Sequence, residues 1–428
     1  MSFYGCVSEL LFFVARPFLN RKYDEGNGQR YGRYPEDLPK GALWIHAVSV
    51  GEVQSAYPFV MEIKRRNPDM PILLSTITKT GRAMAARLAG DLVRHIYYPW
   101  DSPSVLKRAL ATLRPAAYIT IETEIWPEML FQLRKRRIPA FLVNGRLSES
   151  SFRKYRRLRF FWKRVIRRYS LIMTRSAPDR DRFIALGAEP DRVKVTGDCK
   201  VDALIARKNA ADGAGLGEIF AGKEPLILAG STHEGEEEVV FDAYAELLKV
   251  HPSLKLVVVP RHPERGRALL DKASARKLGR VELMSKARSG WNVLIVDRIG
   301  VLFPIYGYVK AAFLGGSLVP KGGQNIMEPA IWGVPFCQGP DYRDFAEATE
   351  ALKKTGLCAI VRDAREMRDF FDGVLSHDNS DFDRESREFF AALSGASRRS
   401  WDLITEFRRG NCPGKTSVSV KEEGAIWH

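Results

Sequence analysis

The sequence predicts two doubly wound α/β domains, and three observations lead to this fold class. The chain has 428 residues, which is more than one hydrophobic core usually holds. Short β-rich runs alternate with helix-sized intervals throughout, as in parallel sheets with crossover helices. A segment with several glycines, residues 208–224, interrupts this periodicity near the middle. Two Rossmann-like domains that face a central cleft are therefore expected, with ligands bound in the cleft.

The predicted strands form two sets along the chain. The first domain, residues 26–207, contains strands at 43–47, 72–76, 95–98, 117–121, 140–144, 171–174 and 193–196. The second domain, residues 225–408, contains strands at 226–229, 255–259, 293–296, 311–314, 334–336 and 359–361. Residues 208–224 are the expected linker, residues 1–25 a separate N-terminal segment, and residues 409–428 a polar tail.

The N-terminal segment carries an apolar run at residues 7–15, which Ser8 and Glu9 interrupt and Arg16 and Pro17 end. A spanning helix needs about twenty apolar residues, so this run is too short to cross a bilayer. It also lacks the basic start and the cleavage site of a signal peptide. It predicts a short interfacial anchor, and a buried N-terminal helix is the alternative.

Positive charge is concentrated in one stretch of the chain. The net charge is +16, and residues 134–168 hold fourteen Lys or Arg against one acid, Glu149. Five aromatic residues interleave this stretch: Phe152, Tyr155, Phe160, Phe161 and Trp162. Such a face attracts an anionic membrane or nucleic acid, and a solvated helix face is the alternative.

The five cysteines are scattered without metal or disulfide spacing, which is typical of a reducing compartment.

The first candidate for chemistry follows the first predicted strand. Ser49 precedes Glu52 by three residues, which is the spacing of a helix capping box. The same carboxylate, placed at the end of a strand, could accept a proton from a hydroxyl, and the helix N-terminus would favour its ionised form. Both interpretations remain open from spacing alone.

The second candidate begins at Gly230 and continues with Ser231, Thr232, His233 and Glu234. A turn between a strand and a helix can present backbone N–H groups to a phosphate. Ser231 and Glu234 also have capping-box spacing. Arg261 follows the next strand and could reach the same phosphate.

The third candidate spans residues 315–329. Gly315 and Gly316 follow a strand and permit the close approach of a ligand. Asn325 and Glu328 precede Pro329, which suits the first turn of a helix. A carboxylate there can accept hydrogen bonds from both ribose hydroxyls.

The absence of two common nucleotide-binding motifs argues against two classes of enzyme. There is no G-x-G-x-x-G after the first strand and no G-x-x-x-x-G-K-[ST], which argues against dinucleotide oxidoreductases and P-loop ATPases. D-x-D sequences occur at 179–181 and 381–383, in charged and helical stretches, and are interpreted as solvated helix faces rather than metal ligands.

In combination, seven motifs resemble the transferases of 3-deoxy-D-manno-octulosonic acid (Kdo), which attach Kdo to lipid A precursors in lipopolysaccharide synthesis. The resemblance runs from about Tyr31 to Phe345, and more loosely to about residue 408. Its motifs are HAVSVGE (46–52), ETEIWPE (122–128), NGRLSE (144–149), TGDCKVD (196–202), STHEGEEE (231–238), VPRHPER (259–265) and GGSLVPKGGQNIMEP (315–329). The resemblance implies the two-domain GT-B fold and an inverting reaction with CMP-Kdo as donor, without a metal or other cofactor.

The resemblance also implies residue roles. Glu52 would be the general base, and Glu122 and Lys200 would stabilise the transition state. Donor contacts would be Pro260, Arg261, Ile299, Gly300, Val301, Asn325, Ile326, Met327 and Glu328, with Ser231, Thr232, Gly315 and Gly316 as further ones.

The expected partners follow from this resemblance and from the charge. They are CMP-Kdo, a lipid A precursor and the anionic surface of the inner membrane, contacted by the N-terminal segment and residues 134–168 on the cytoplasmic face. No nucleic acid is expected. The alternatives are another GT-B enzyme of nucleotide sugars, either an epimerase or a lipid glycosyltransferase, and a basic membrane or RNA adaptor without catalysis.

Overall fold

The computed structural model describes residues 3–211, 216–220, 222–287, 290–377 and 380–410. The chain divides into two compact units. The first contains the residues up to Ala203 together with the segment from Leu393 onward, and the second contains Leu204–Ala392.

The first unit is built on a seven-stranded parallel sheet with strand order β3-β2-β1-β4-β5-β6-β7. Its strands are β1 Leu43–His46, β2 Ile72–Thr76, β3 Arg94–Tyr97, β4 Ala117–Ile121, β5 Ala140–Gly145, β6 Leu171–Thr174 and β7 Val193–Val195. The helices that accompany them are α1 Phe3–Lys22, α2 Asn27–Arg30, α3 Val50–Arg66, α4 Lys79–Ala89, α5 Pro103–Leu113, α6 Pro127–Lys135, α7 Glu149–Arg157, α8 Arg159–Ile166, α9 Ala177–Ala185 and α10 Cys199–Asn209.

The second unit has its own seven-stranded parallel sheet, with order β10-β11-β9-β8-β12-β13-β14. Its strands are β8 Leu226–Thr232, β9 Lys255–Pro260, β10 Val281–Leu283, β11 Val293–Ile295, β12 Ala311–Leu314, β13 Phe336–Gln338 and β14 Cys358–Ile360. The helices from here to the end of the described chain are α11 Gly217–Phe220, α12 Glu236–Leu247, α13 Gly266–Ala275, α14 Leu302–Ile305, α15 Met327–Ile331, α16 Ala346–Lys353, α17 Ala364–Leu375, α18 Ser380–Leu393 and α19 Ala396–Gly410.

Both faces of the first sheet are covered. In β1, Leu43 and Ile45 belong to one buried cluster, whereas Trp44 belongs to another on the opposite face. Successive side chains of a strand point to opposite faces, so a strand buried on both sides has a continuous apolar sequence. This is why the strands of a doubly wound sheet are recognisable as short unbroken apolar runs.

Every predicted strand overlaps an observed one. The sequence missed β10, a three-residue strand at the edge of the second sheet whose residues are all partly exposed. An edge strand this short has too few positions to show either an apolar run or an alternation.

The division of the chain differs from the expected domain bounds at both ends of the second unit. Helix α10 crosses the boundary at Ala203, whereas the sequence predicted that the first domain ends at residue 207. Helix α19 belongs to the first unit, not to the second domain through residue 408, because its Trp401 is buried with its ring centroid 6.1 Å from that of Phe59 in α3. The expected linker and tail fall partly on residues 212–215, 221 and 411–428, which lie outside the described ranges.

Helix α1 is anchored to the first unit through polar contacts. The Tyr4 hydroxyl donates to Asp101 Oδ2 (3.3 Å), and Glu9 Oε2 accepts hydrogen bonds from the Ser102 hydroxyl (2.7 Å) and the Ser104 N–H (3.1 Å). Apolar side chains remain exposed on this helix: Val7, Leu10, Phe13, Val14 and Phe18. None of the helices in the described ranges is long and apolar enough to cross a membrane.

The basic stretch forms helices α7 and α8, and most of its aromatic residues have a structural role. Phe152, Tyr155, Phe161 and Trp162 pack against the core of the first unit, whereas Phe160 is 73% exposed. The aromatic interleaving seen in the sequence therefore mainly anchors the two helices. Their Lys and Arg side chains remain on the outside, as do Leu158 and Phe160.

Candidate active site

Glu52 lies in the first turn of α3, directly after β1, and the capping interpretation of its spacing is confirmed. Ser49 is the N-cap residue, and its N–H donates to Glu52 Oε2 at 3.0 Å, as does its hydroxyl. No hydrogen bond to Glu52 Oε1 is found within the described ranges. The cap thus fixes the carboxylate through one of its two oxygens.

Glu122 and Lys200 form an ion pair in the same unit. The Lys200 Nζ lies 2.8 Å from Glu122 Oε1, and the Ser55 hydroxyl donates to the same oxygen at 3.0 Å. Ser55 lies on α3 one turn after Glu52, so the three proposed catalytic side chains occur at one edge of the first sheet. This edge is formed by the carboxyl ends of parallel strands, where α/β folds bind their ligands.

Two side chains hold the start of α10, and with it Lys200. Asn144 Oδ1 accepts the Cys199 N–H at 2.9 Å, and Asp198 Oδ1 accepts the Lys200 N–H at 2.9 Å. Asn144 is buried, at the end of β5, and has a φ of 56°. Glu122, after β4, has a φ of 62°. Left-handed backbone at non-glycine residues is costly and tends to occur where a functional side chain must be aimed.

Glu124 is a carboxyl group that the sequence interpretation did not single out. Burial raises the pKa of Glu124 to about 7; the negative charges of Glu52 and Glu122 add to this effect, and the nearby indole of Trp126 opposes it. Such a group holds a proton near neutral pH, close to the Glu52 carboxylate. The repeated glutamate in ETEIWPE was the available signal, but spacing does not distinguish the carboxylate of Glu124 from that of Glu122.

His46, at the end of β1, is also buried in this region. Its ring stacks on Tyr98 with centroids 3.7 Å apart, and its Nδ1 lies 3.0 Å from the Ser75 hydroxyl. Burial lowers the pKa of His46 to about 3, against a hydrogen bond with the Ser75 backbone that raises it, so the imidazole is neutral. The histidine of HAVSVGE therefore serves the local packing rather than proton transfer.

In the second unit, the residues predicted to bind the donor follow neighbouring strands at the carboxyl edge of the sheet. Thr232 and Pro260 are register partners at the ends of β8 and β9, and the Arg261 N–H donates to Thr232 O at 2.9 Å. Ile299, Gly300 and Val301 follow β11. Gly315, Gly316 and residues 325–328 follow β12. The sheet topology thus brings the predicted segments to one edge.

The turn at Gly315 and Gly316 has a different role from the expected one. A Cβ on Gly315 would lie 2.6 Å from Ser231 O and 2.6 Å from Thr232 Cα, so the close approach is to the end of β8. The N–H groups of Gly316, Ser317 and Leu318 donate to the carboxylate of Glu236 at 2.7, 3.0 and 2.9 Å. These glycines therefore allow two loops to pack together, and their amides are already occupied.

The turn after β8 also differs from the expectation. Ser231 and Thr232 lie within β8, and α12 starts after Gly235, so Ser231 and Glu234 form no capping box. The His233 N–H donates to Glu236 Oε2 at 2.8 Å.

A second buried glutamate, Glu237, fixes the next loop. It accepts the Thr232 hydroxyl (2.9 Å) and forms a bidentate pair with Arg265 (2.7 and 3.1 Å). The two buried glutamates of STHEGEEE, Glu236 and Glu237, thus hold the loops at the carboxyl edge of the sheet in place through hydrogen bonds.

The segment at 325–328 presents a charged pair. Glu328 Oε1 lies 2.8 Å from Arg207 Nη1, and the Asn325 side-chain amide donates to the same oxygen at 3.4 Å. The Arg207 guanidinium also lies 3.9 Å from the ring centroid of Phe303 in α14, the helix that follows Val301. The sequence interpretation missed Arg207, since nothing in its local pattern relates it to Glu328 more than a hundred residues away.

Exposure separates the remaining predicted donor residues. Ile299 is 87% exposed at the carboxyl edge, which leaves it available to a ligand, whereas Ile326 is fully buried. Gly300 has a φ of 89°, which requires glycine for the turn. Ile326 thus supports the loop through the core and offers a ligand only its backbone.

The two D-x-D sequences differ in the solvent exposure of their aspartates. Asp381 and Asp383 are exposed on α18, in agreement with a solvated face. Asp179 is buried, and its Oδ1 accepts the Leu147 N–H at 2.8 Å, so its interpretation as solvated was wrong. Within the described ranges, no group of three His, Cys, Asp or Glu side chains is placed to hold a metal ion.

The two parallel sheets, with polar side chains at their carboxyl edges, form two Rossmann-like units of the kind that bind nucleotides. Residues 25–203 match the family model of 3-deoxy-D-manno-octulosonic-acid transferase (kdotransferase). The chain is 30% identical over 400 residues to the 3-deoxy-D-manno-octulosonic acid transferase of Haemophilus influenzae, which covers 91% of this chain and 93% of that protein. It is 32% identical over 329 residues to the protein of the same name from Aquifex aeolicus, and the match covers 77% of this chain and 84% of that protein. The chain therefore belongs to the 3-deoxy-D-manno-octulosonic acid transferase family and is a glycosyltransferase.

A solved structure supports the fold class. The UDP-GlcNAc 2-epimerase from Neisseria meningitidis, bound to UDP-GlcNAc, is similar with a TM-score of 0.59 and 13% identity, covering 86% of this chain and 100% of that one. At this identity the likeness concerns the fold alone. Together with the two parallel sheets, it confirms the predicted pair of Rossmann-like domains.

Proposed function

We propose that this enzyme transfers Kdo from CMP-Kdo to a hydroxyl of a lipid A precursor, with inversion at the anomeric carbon and without a metal. The observation that carries the proposal is the cluster of Glu52, Glu122 and Lys200 at one sheet edge, in a chain of this family. The second unit would hold the donor through the segments that follow β9, β11 and β12.

In the proposed reaction, Glu52 takes the proton of the acceptor hydroxyl. The oxygen attacks the anomeric carbon of Kdo, and the bond from that carbon to the CMP phosphate breaks. The electron pair leaves with CMP, whose negative charge increases as it departs. Lys200, held by Glu122, would supply positive charge at this moment.

The test combines purified enzyme with CMP-Kdo and lipid IVA, and follows CMP release and product mass. Glu52→Ala is expected to lose about 10²- to 10⁴-fold in rate while CMP-Kdo still binds, the range typical of general base catalysis. Glu62→Ala is the matched control on α3, since Glu62 pairs with Arg65 and Arg66 outside the cluster. Equal turnover by Glu52→Ala would remove Glu52 as the base. Turnover with UDP-sugars in place of CMP-Kdo would contradict the donor assignment, and a loss of rate with EDTA would contradict the metal-free reaction.

Part of the proposal concerns the acceptor, which would be reached on the cytoplasmic face of the inner membrane by peripheral association. Two observations support it. Helix α1 exposes apolar side chains, and α7 and α8 expose basic ones in the same unit. The rings of Tyr4 in α1 and Phe161 in α8 lie with centroids 5.5 Å apart, so the two elements are neighbours. Apolar insertion next to a basic face is the usual pattern of a protein that binds anionic lipid.

Vesicle binding tests this association. Each Lys or Arg near an anionic surface contributes about 1 kcal/mol, so reversing the charges of Arg153, Lys154, Arg156 and Arg157 should weaken binding to anionic vesicles by more than about 100-fold. The control reverses four exposed basic residues of the second unit: Lys249, Arg267, Arg362 and Arg384. Equal weakening by both sets would show an effect of net charge alone and would contradict the assigned surface.

A further inference from the structure

Helix α3 carries a buried hydroxyl group on its otherwise apolar inner face. Apart from Ser55, which is fully buried, the buried residues of this helix are apolar: Val53, Ala56, Pro58, Phe59, Val60 and Ile63. A buried hydroxyl costs free energy unless it forms a hydrogen bond, and alanine is the better helix former. A serine at this position is therefore stable only with a partner for its hydroxyl.

The Ser55 hydroxyl has two acceptors within reach and one proton to donate. Its Oγ lies 3.1 Å from Gly51 O and 3.0 Å from Glu122 Oε1. Gly51 O also faces the Ser55 N–H, which is its partner in the regular pattern of an α-helix. A hydrogen bond to a carboxylate is roughly twice as strong as one between neutral groups. The proton is therefore directed to Glu122, outside the helix.

This hydrogen bond gives the Glu122–Lys200 pair a rigid support. The Lys200 side chain is 47% exposed, against 17% for Glu122. An ion pair alone holds an exposed lysine weakly, because ordering its long side chain costs entropy. Ser55 donates from the buried face of a helix to the same carboxylate oxygen that Lys200 contacts. The position of the ammonium group thus depends on the serine as well as on the carboxylate.

The same helix carries the proposed base. Glu52 precedes Ser55 by three residues, so the two side chains lie on one side of α3. The capping contact between Ser49 and Glu52 fixes the start of this helix. Helix α3 therefore holds Glu52 and Ser55 in a constant relation, and the Ser55 hydroxyl connects Glu122 to it.

We propose that Ser55 is a positioning residue for the transfer step. Its hydroxyl holds the Glu122 carboxylate, and through it the Lys200 ammonium, in a fixed place relative to Glu52. The inference rests on the proposed function, because it assumes that these three groups carry out the transfer. Ser55 acts through Glu122 and is not itself a catalytic residue.

Steady-state kinetics of Ser55→Ala with CMP-Kdo and lipid IVA test the proposal. Loss of a hydrogen bond to a charged group should lower kcat by roughly 10- to 100-fold. The KM for CMP-Kdo should stay unchanged, because the predicted donor contacts lie in the second unit. Ser55→Thr keeps a hydroxyl and should recover most of the lost rate. A wild-type kcat for Ser55→Ala would overturn the proposal.

Thr349→Val is the matched control. It also removes a fully buried hydroxyl from a helix, one whose oxygen lies 3.0 Å from Gln338 Nε2. Thr349 lies in α16 of the second unit, outside the predicted donor segments. This variant should leave kcat unchanged, and a loss equal to that of Ser55→Ala would mean that any buried hydroxyl has the same effect.

A double-mutant cycle with Glu122→Ala separates positioning from a general effect on the fold. Residues that act as one unit give non-additive losses. Without the Glu122 carboxylate, Ser55→Ala should cause almost no further loss of kcat. A further loss as large as the one in the wild-type background would overturn the proposal, because Ser55 would then act independently of Glu122.

The same assays keep this inference distinct from the proposed function. A wild-type enzyme that releases no CMP from CMP-Kdo would contradict the proposed function and the inference with it. Wild-type turnover that Ser55→Ala leaves unchanged would overturn the role of Ser55 alone.

Discussion

Replacing Lys200 with methionine separates a catalytic role of this lysine from a structural one. Its Nζ lies 2.8 Å from Glu122 Oε1, and the Lys200 side chain is 47% exposed. An ion pair this exposed contributes about 0–1 kcal/mol to stability. Methionine keeps the apolar stem, so the free energy of unfolding should fall by no more than about 1 kcal/mol. A cation that meets charge as CMP leaves contributes far more, about 2.7–4 kcal/mol, which corresponds to a loss in kcat of about 10²- to 10³-fold.

The two quantities are measured on the same preparations. Initial rates of CMP release with CMP-Kdo and lipid IVA give kcat, and urea denaturation gives the free energy of unfolding. Lys79→Met is the control, because Lys79 lies in the same unit and pairs with Asp24 at 2.8 Å with similar exposure. It should leave both quantities almost unchanged. A kcat within threefold of wild type for Lys200→Met, or a loss of rate matched by an equal loss of stability, would refute the catalytic assignment.

Three further predictions follow from contacts near the two sheet edges. Asn144→Ala removes the buried acceptor for the first amide of α10 and should lower the free energy of unfolding by about 1–3 kcal/mol, measured in urea; a variant as stable as wild type would contradict this. Arg207→Met leaves Glu328 without its cation and should raise the KM for CMP-Kdo roughly tenfold, whereas a lower KM would mean that the pair competes with the donor. His46 has a pKa depressed to about 3, so the unfolded chain binds its proton first as the pH falls and stability is lost below about pH 6.5. In His46→Gln this loss should shrink by about 2 kcal/mol between pH 7.5 and 5, in urea titrations at each pH, and identical pH profiles would show that His46 is not buried neutral.

The fold was predictable because its signal is local and repeated. Strands such as β4 and β12, buried on both faces, have short apolar sequences that end at polar turns. The same ends mark the functional edges, because parallel strands bring all their carboxyl ends to one side. The placement of Glu52, Glu122 and Lys200 at one edge followed from this rule and from the resemblance to the family.

The roles within the edges were less predictable, because they depend on partners that are distant in sequence. Gly315 signals a close approach, and sequence does not say whether a ligand or the end of β8 makes it. The same holds for Asp179. Its charged sequence neighbours predicted a solvent-exposed side chain, but its carboxylate is buried and accepts the Leu147 N–H. Helix α19 has an ordinary amphipathic pattern, and its pattern alone does not say which sheet it covers.

The position of α19 has a consequence for synthesis of the chain. The first unit lacks Trp401 and Ile404, both buried in its core, until the whole of the second unit has been translated. At about 5–20 residues per second, the roughly 200 residues between Ala203 and α19 take about 10–40 s. During that interval the face of α3 that α19 later covers is exposed on the ribosome. The first domain to emerge is therefore the last to be completed.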